Sequence, residues 1–483
     1  MALIAPGLPS CLLLPSSSTS PRPSPFRRPS SSPTRCASSP ANHGAAVSRP
    51  GGGGGDGGEG LLITTLGRGG SGKTSCAVAL ARHYAQSGRR TLFAAFGPSD
   101  DTAEHMLGSE LCLDGPSESD LGGGLSGWRI LGTRLLRGPL AAVLAADVRF
   151  GPTGPAGGSL LQELAPEEVP MFPGLDGLLA LAALRAQLVR GRFDAIVLDG
   201  PPGHEAVRLL GSPERALWAL RRARGLLGRT DAGRVGLPAV SPVVEYVVEA
   251  LRGKGGPFDL MGPPSTSHSH SPSATSIWDE VDEYVARAAA SLLNPKRFTA
   301  YLVHDYSYSD PSASVTATRR LWGGAAHAGA HVGGALLLGL GGRPASGAAR
   351  ETVTSGPAEQ QQQQLQQQQQ PFEPLPGHAL PGGGGGWRAI QAALPPVEAL
   401  EAGSASPAIP PPVLLDPASA TVALFMPGYG KGQVKLSLSS SRGDLLVEAG
   451  DQRRSVALPP GMQKGVAGAK FVGDSLVVAL KTS

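Results

Sequence analysis

The stretch Gly67-Arg68-Gly69-Gly70-Ser71-Gly72-Lys73-Thr74 constrains this chain most. It satisfies G-x-x-x-x-G-K-[ST] between an apolar β-type run, Leu61 to Leu66, and a helical pattern, Ser75 to Gln86. A strand, a glycine loop and a helix in that order make a P-loop. The glycines let backbone N–H groups converge on phosphate oxygens, and the following helix presents its positive end to the same anion. Arg90 to Phe96 reads as a second buried strand. Further strands are predicted at Trp128 to Leu131, Ala195 to Asp199, Thr299 to His304 and Val332 to Leu338, with helical stretches such as Gly177 to Val189 and Trp278 to Leu292 between them. This alternation predicts an α/β fold, a doubly wound and mostly parallel sheet covered on both faces, over residues 61–400.

From about Leu415 the pattern changes to short strands, predicted at Ala420 to Met426, Gln433 to Leu438, Leu445 to Ala449, Ser455 to Leu458 and Ser475 to Leu480. Val434, Leu436 and Leu438 alternate with polar neighbours, as in a half-buried strand. A small all-β sandwich is expected over 415–483, after a Pro-rich linker at 401–414. Three biased segments read as disordered insertions: 262–276, rich in Ser, Pro and His; 345–371, with its glutamine tract; and 381–386, a glycine run.

The first 55 residues hold no Asp or Glu, carry five Arg and are dominated by Ser and Pro, which reads as a transit peptide over 1–50 followed by a glycine linker at 51–60. The prolines forbid the long amphipathic helix of a mitochondrial leader, so the predicted location is the chloroplast stroma, with processing near Thr34 to Ala37. No apolar run approaches the length of a transmembrane segment. The net charge of +4 is too small to argue for a nucleic-acid partner. Cys11, Cys36, Cys76 and Cys112 form no C-x-x-C pair, and His268 and His270 stand in a Ser/Pro loop without acidic or thiol companions, so no structural metal is expected. Cys76 falls inside the helix after the P-loop and reads as core.

Lys73 is expected to reach the β- and γ-phosphates of a nucleotide, and Thr74 to ligate Mg²⁺, with Ser75 completing the phosphate-binding set. The apolar run Phe193 to Asp199 reads as a Walker B strand whose terminal Asp199 faces the P-loop and holds Mg²⁺; as an alternative, Asp199 is an N-cap or turn residue of the bend Asp199-Gly200-Pro201-Pro202-Gly203. After the second strand, Ser99-Asp100-Asp101 supplies either a water-orienting aspartate or a turn cap.

With these residues in hand, the chain resembles the ArsA/GET family of anion-transporter-type P-loop ATPases, the deviant Walker A class. Within it the likeness is to the plastid and cyanobacterial branch that ends in a small heat-shock (α-crystallin)-like domain. The resemblance rests on the P-loop, Pro173-Gly174-Leu175-Asp176, the stretch Asp199 to Arg208, Pro374-Leu375-Pro376, Gly450-Asp451-Gln452-Arg453-Arg454 and Gly468-Ala469-Lys470-Phe471. It implies ATP hydrolysis by a nucleotide-gated homodimer. It also implies that Arg68 stands where the family has a lysine reaching across the dimer to the opposite nucleotide, that Asp100 positions the attacking water, that Asp199 opens the switch, and that Pro374 and Pro376 contact the base. Family members that carry tail-anchored proteins have a methionine-rich groove, whereas this chain has six scattered methionines. Three functions stay open: capture of a hydrophobic or membrane-protein client in the plastid, membrane transport, and small-molecule or cofactor assembly.

Overall fold

The computed structural model describes residues 60–97, 101–113, 115–116, 121–137, 141, 175–227, 274–307, 310–339, 370–382, 386–439 and 443–481. The leader, Asp100, Pro173-Gly174, His268, His270 and most of the three expected insertions lie outside these residues.

β1 (Leu61–Leu66) is buried along its whole length, and its Thr64 hydroxyl donates to the Leu198 carbonyl at 2.9 Å. The following elements are α1 (Lys73–Gln86), β2 (Thr91–Phe96), α2 (Thr102–Leu107), β3 (Leu125–Ile130), α3 (Leu175–Val189), β4 (Ala195–Asp199), α4 (His204–Leu210), α5 (Ser212–Leu227) and α6 (Ala274–Ser291). Then come β5 (Phe298–Asp305), α7 (Pro311–His327), β6 (Val332–Leu338), β7 (Gly377–Leu380), α8 (Gly386–Ala393) and α9 (Val397–Ser404). The strands form one seven-stranded sheet in the order β3-β2-β4-β1-β5-β6-β7, and every pairing is parallel.

Parallel strands buried on both faces need apolar residues at consecutive positions, and these strands supply them. Leu62, Leu92, Ile196, Leu302 and Leu337 pack with α3, α4 and α7 on one face. Ile63, Phe93, Val197, Val303 and Leu336 pack with α1, α2, α8 and α9 on the other. Truncating a fully buried residue such as Leu80 of α1 to alanine would cost about 2–5 kcal/mol. The chain winds from β1 outward to β3, then inserts β4 between β1 and β2 before continuing to β5 on the far side. That reversal opens a crevice at the carboxyl ends of β1 and β4, where α/β sheets place ligands.

The C-terminal strands are β8 (Val413–Asp416), β9 (Thr421–Phe425), β10 (Val434–Leu438), β11 (Leu445–Ala449), β12 (Gln452–Val456), β13 (Val466–Val472) and β14 (Ser475–Leu480). They make a three-stranded sheet, β10-β11-β12, and a four-stranded sheet, β13-β14-β9-β8, around a core that includes Val422, Leu424, Leu445, Val447 and Val478. Three differences from expectation have physical causes. α9 runs to Ser404 and β8 starts at Val413, so both enter the stretch expected as linker. β13 is an edge strand that buries little, which is why its composition gave no signal. The strand expected at Ser455 is instead centred on Gln452-Arg453-Arg454, because Arg454 turns inward against α7.

This sandwich sits directly on α7. An added Cβ at Gly323 would lie 2.3 Å from the Pro427 carbonyl, and one at Gly428 would lie 2.5 Å from the Arg320 amide nitrogen. Trp322 meets Phe425 edge to face with ring centroids 5.0 Å apart, and Arg319 pairs with Asp474 at 2.5 Å. Arg454 donates to the Ala326 carbonyl at 3.0 Å and the His327 carbonyl at 3.4 Å, satisfying acceptors at the end of α7 with a cation that suits the helix dipole. Among the described residues, no helix is long and apolar enough to cross a membrane.

Candidate functional site

β1 delivers the P-loop to the crevice, and two glycines give the loop its shape. Gly70 and Gly72 have φ of 77° and 81°, in the left-handed region that favours glycine. A Cβ at Gly72 would also meet Leu338 Cδ1 at 2.6 Å, and one at Gly67 would meet the Ser71 hydroxyl at 2.4 Å and the Val303 carbonyl at 2.9 Å. Gly69 differs, with nothing within 4 Å of an added Cβ. The Ser71 amide donates to the Arg68 carbonyl at 3.2 Å, closing the turn.

α1 starts here with Gly72 as its N-cap, and its first turn holds no acidic residue, so the positive end of the dipole is not offset from within the turn. Lys73 is buried, and its Nζ donates to the Arg68 carbonyl at 3.0 Å. Burial holds this ammonium below the ordinary lysine range, with the Asp199 charge opposing. Cys76, one turn further, is fully buried, and burial pushes its thiol up to about 12, so it is core and not a nucleophile.

A cavity of about 520 Å³ opens over the loop. One wall is Gly69, Gly70 and Gly72 to Ser75; a second is Asp199 to Pro202; the third is formed by β2, α2 and Arg129. Asp199 thus stands at the carboxyl end of β4 beside Lys73 and Thr74. It is not the N-cap of α4, because Gly203 holds that position. The Gly203 amide donates to the Gly67 carbonyl at 3.0 Å, so the stretch after β4 is bonded directly to the P-loop.

The remaining expected residues divide. Asp100 lies outside the described residues, and its neighbour Asp101 is the N-cap of α2, with φ 56° and no side-chain cap bond. Arg68 is exposed in the loop. Its charge is felt by His304, whose imidazole is lowered to about 4 chiefly by burial, with Asp305 opposing and Arg68 adding to the effect. Pro374 and Pro376 are not among the residues lining this cavity; they precede β7, and the Pro376 carbonyl accepts from the Ala335 amide in the middle of β6 at 2.9 Å. The parallel direction of β7 puts its other end, Leu380, near the P-loop side, where the Gly339 amide bonds the Leu380 carbonyl at 3.1 Å.

Arg129 was not among the expected residues. It lines the cavity from β3 and pairs with Glu104 of α2 at 2.7 Å. Its only sequence signal is a charge between Trp128 and Ile130 in a buried strand.

The residues present fit a magnesium nucleotide. Gly70 and Gly72 are left-handed, Gly67 and Gly72 leave no room for a side chain, the buried Ser71 hydroxyl has no hydrogen-bond partner among the described residues, and Thr74 and Asp199 offer the hard oxygen ligands that Mg²⁺ takes. A second cavity, of about 510 Å³, lies between α5 and β12 beside Trp218, away from the P-loop, and its lining includes Arg215, Glu448, Asp451 and Arg453.

Two family models match the chain. Residues 152–234, which take in β4, Asp199 and α4 and begin after the P-loop, match an anion-transporting ATPase; residues 418–480 match an HSP20-like domain found in ArsA. An uncharacterized protein of Streptomyces coelicolor is 37% identical over 163 residues, 34% of this chain and 39% of that protein. Proteins of Prosthecochloris vibrioformis and Chlorobaculum tepidum, each named "Putative arsenical pump-driving ATPase", are 26% identical over 167 residues, 34% of this chain and 38% of theirs. The chain therefore spans well under half the length of these curated relatives. The two matched segments, in this order along a chain with a P-loop sheet, support an ArsA/GET-like ATPase with a C-terminal HSP20-like domain.

Proposed function

We propose that this protein binds and hydrolyses ATP with Mg²⁺ as a nucleotide-gated homodimer, and that it does so on behalf of a hydrophobic or membrane-protein client in the chloroplast stroma. The observation that carries the nucleotide reading is Gly72. Its φ of 81° and the lack of room for a Cβ shape a loop whose next residues are Lys73 and Thr74, with Asp199 on the facing wall.

Lys73 neutralises charge on the β- and γ-phosphates, and the backbone amides of Gly69 to Thr74 bind their oxygens. Thr74 and Asp199 hold Mg²⁺, which would offset charge on the phosphates when bound. Asp100 orients the attacking water, and the Gly203 to Gly67 bond transmits the state of the phosphates to α4. Arg68 contributes charge across the dimer; support for this is its exposure in the loop together with the family resemblance. The client rests on resemblance and on the HSP20-like domain. The stromal location rests on the acid-free Ser/Pro/Arg leader.

Mixing inactive subunits tests hydrolysis and dimer together. Lys73→Ala should abolish ATP hydrolysis, and Arg68→Ala should lower it steeply, since an arginine supplied in trans is worth about 10³ to 10⁵ in rate. In mixed dimers one site keeps its own Lys73 and receives an intact Arg68 from across the interface, so part of the activity should return. Wild-type hydrolysis by Lys73→Ala would refute the site, and absence of recovery in heterodimers verified by mass would refute the role of Arg68 in trans.

A further inference from the structure

Arg129 is only 7% exposed and is the one charged residue of β3, and its register places it with the nucleotide-site residues. Its Cα partner on β2 is Ala95, and Ala95 is in turn the partner of Asp199 on β4. Neighbours in register on parallel strands project to the same face, so Arg129 and Asp199 rise from one face of the sheet, about 10 Å apart at the backbone. Ala95 stands between them on β2 and presents a methyl group to the same face. α1 covers this face: Ala95 packs in the same core as Cys76 to Ala81. Arg129, Ala95, Asp199, Lys73 and Thr74 accordingly border one cavity.

Glu104 holds the guanidinium in place. Arg129 Nε donates to Glu104 Oε1 at 3.1 Å, Nη2 lies 2.7 Å from the same oxygen, and that oxygen also accepts the Leu111 amide at 3.0 Å. A guanidinium has five N–H donors, so a partner that offers it one oxygen leaves donors for the cavity. The side chains of the pair are 8% and 17% exposed. Buried ion pairs of this kind stabilise a fold little better than apolar residues of the same volume, so the fold alone gives small reason for a cation here.

We propose that Arg129 is a further phosphate-binding residue of the nucleotide site, held toward the cavity by Glu104. Lys73 and the α1 N-terminus meet the phosphates from one wall, and Arg129 meets them from the wall beyond Ala95, where a planar fork can take two oxygens at once. This rests on the cavity being the nucleotide site.

The test is calorimetric binding of Mg²⁺·ATP and of AMP to the full chain and to Arg129→Met, which keeps the apolar stem and removes the charge. The expected result is a roughly tenfold to hundredfold loss of ATP affinity with AMP binding unchanged, the range for losing a charge-assisted hydrogen bond. Should Arg129→Met fail to fold, Arg129→Lys carries the test: charge is kept and the fork lost, and ATP affinity should fall several-fold with the melting temperature preserved. Wild-type ATP affinity in the folded variant, with or without a lowered melting temperature, would overturn the assignment and leave the nucleotide site standing. Failure of the wild-type protein to bind Mg²⁺·ATP would overturn both.

Discussion

The P-loop and the seam where α7 meets the C-terminal sandwich both depend on glycine, for different physical reasons. In the P-loop, Gly70 and Gly72 adopt left-handed backbone so that amides and a helix end face one cavity. In the seam, Gly323 has ordinary helical backbone, and what it supplies is absence: no side chain, so the Pro427 carbonyl can approach. The first arrangement comes from eight consecutive residues; the second joins positions more than a hundred residues apart. Changes in the loop should therefore disable chemistry and spare the fold, whereas changes in the seam should weaken the fold and spare the chemistry.

The largest separation is expected from Gly72→Ala. Both the positive φ and the 2.6 Å approach to Leu338 Cδ1 oppose a methyl group, so nucleotide binding should be lost while the circular dichroism spectrum stays that of wild type. Gly69→Ala is its matched control. No atom of the protein lies within 4 Å of the added methyl group, so the variant should lose less nucleotide affinity than Gly72→Ala. Equal effects of the two substitutions would break the claim that loop shape, and not glycine content, makes the site.

A smaller effect is expected in the seam from Gly323→Ala. Replacing a mid-helix glycine gains up to about 1 kcal/mol of helix propensity, and forcing a methyl group against a packed carbonyl costs about 1–3 kcal/mol. The net should be a loss of up to about 2 kcal/mol in denaturant unfolding, with ATP affinity unchanged. A gain in stability would mean that the sandwich yields easily and that the seam is loose.

This contrast also explains what could be read from the sequence. The bounds of β1, β4, β6, β11 and β14 were legible because each is a short apolar or alternating run between polar breaks. The P-loop was legible because its geometry needs particular residues at fixed spacing. β7 and β8 were not, since four residues each give too little pattern. Gln452-Arg453-Arg454 reads as a polar turn until α7 is present to bury Arg454, and the inward turn of Arg129 is equally invisible without β2 and α2 beside it.

The nucleotide assignment is tested most directly by a crystal structure of the full chain grown with Mg²⁺ and a non-hydrolysable ATP analogue. The expected result is a triphosphate against the backbone amides of Gly69 to Thr74, with Mg²⁺ on the Thr74 hydroxyl and the Asp199 carboxylate and the Arg129 guanidinium on a phosphate oxygen. An analogue bound instead beside Trp218, in the cavity of about 510 Å³ between α5 and β12, would contradict it.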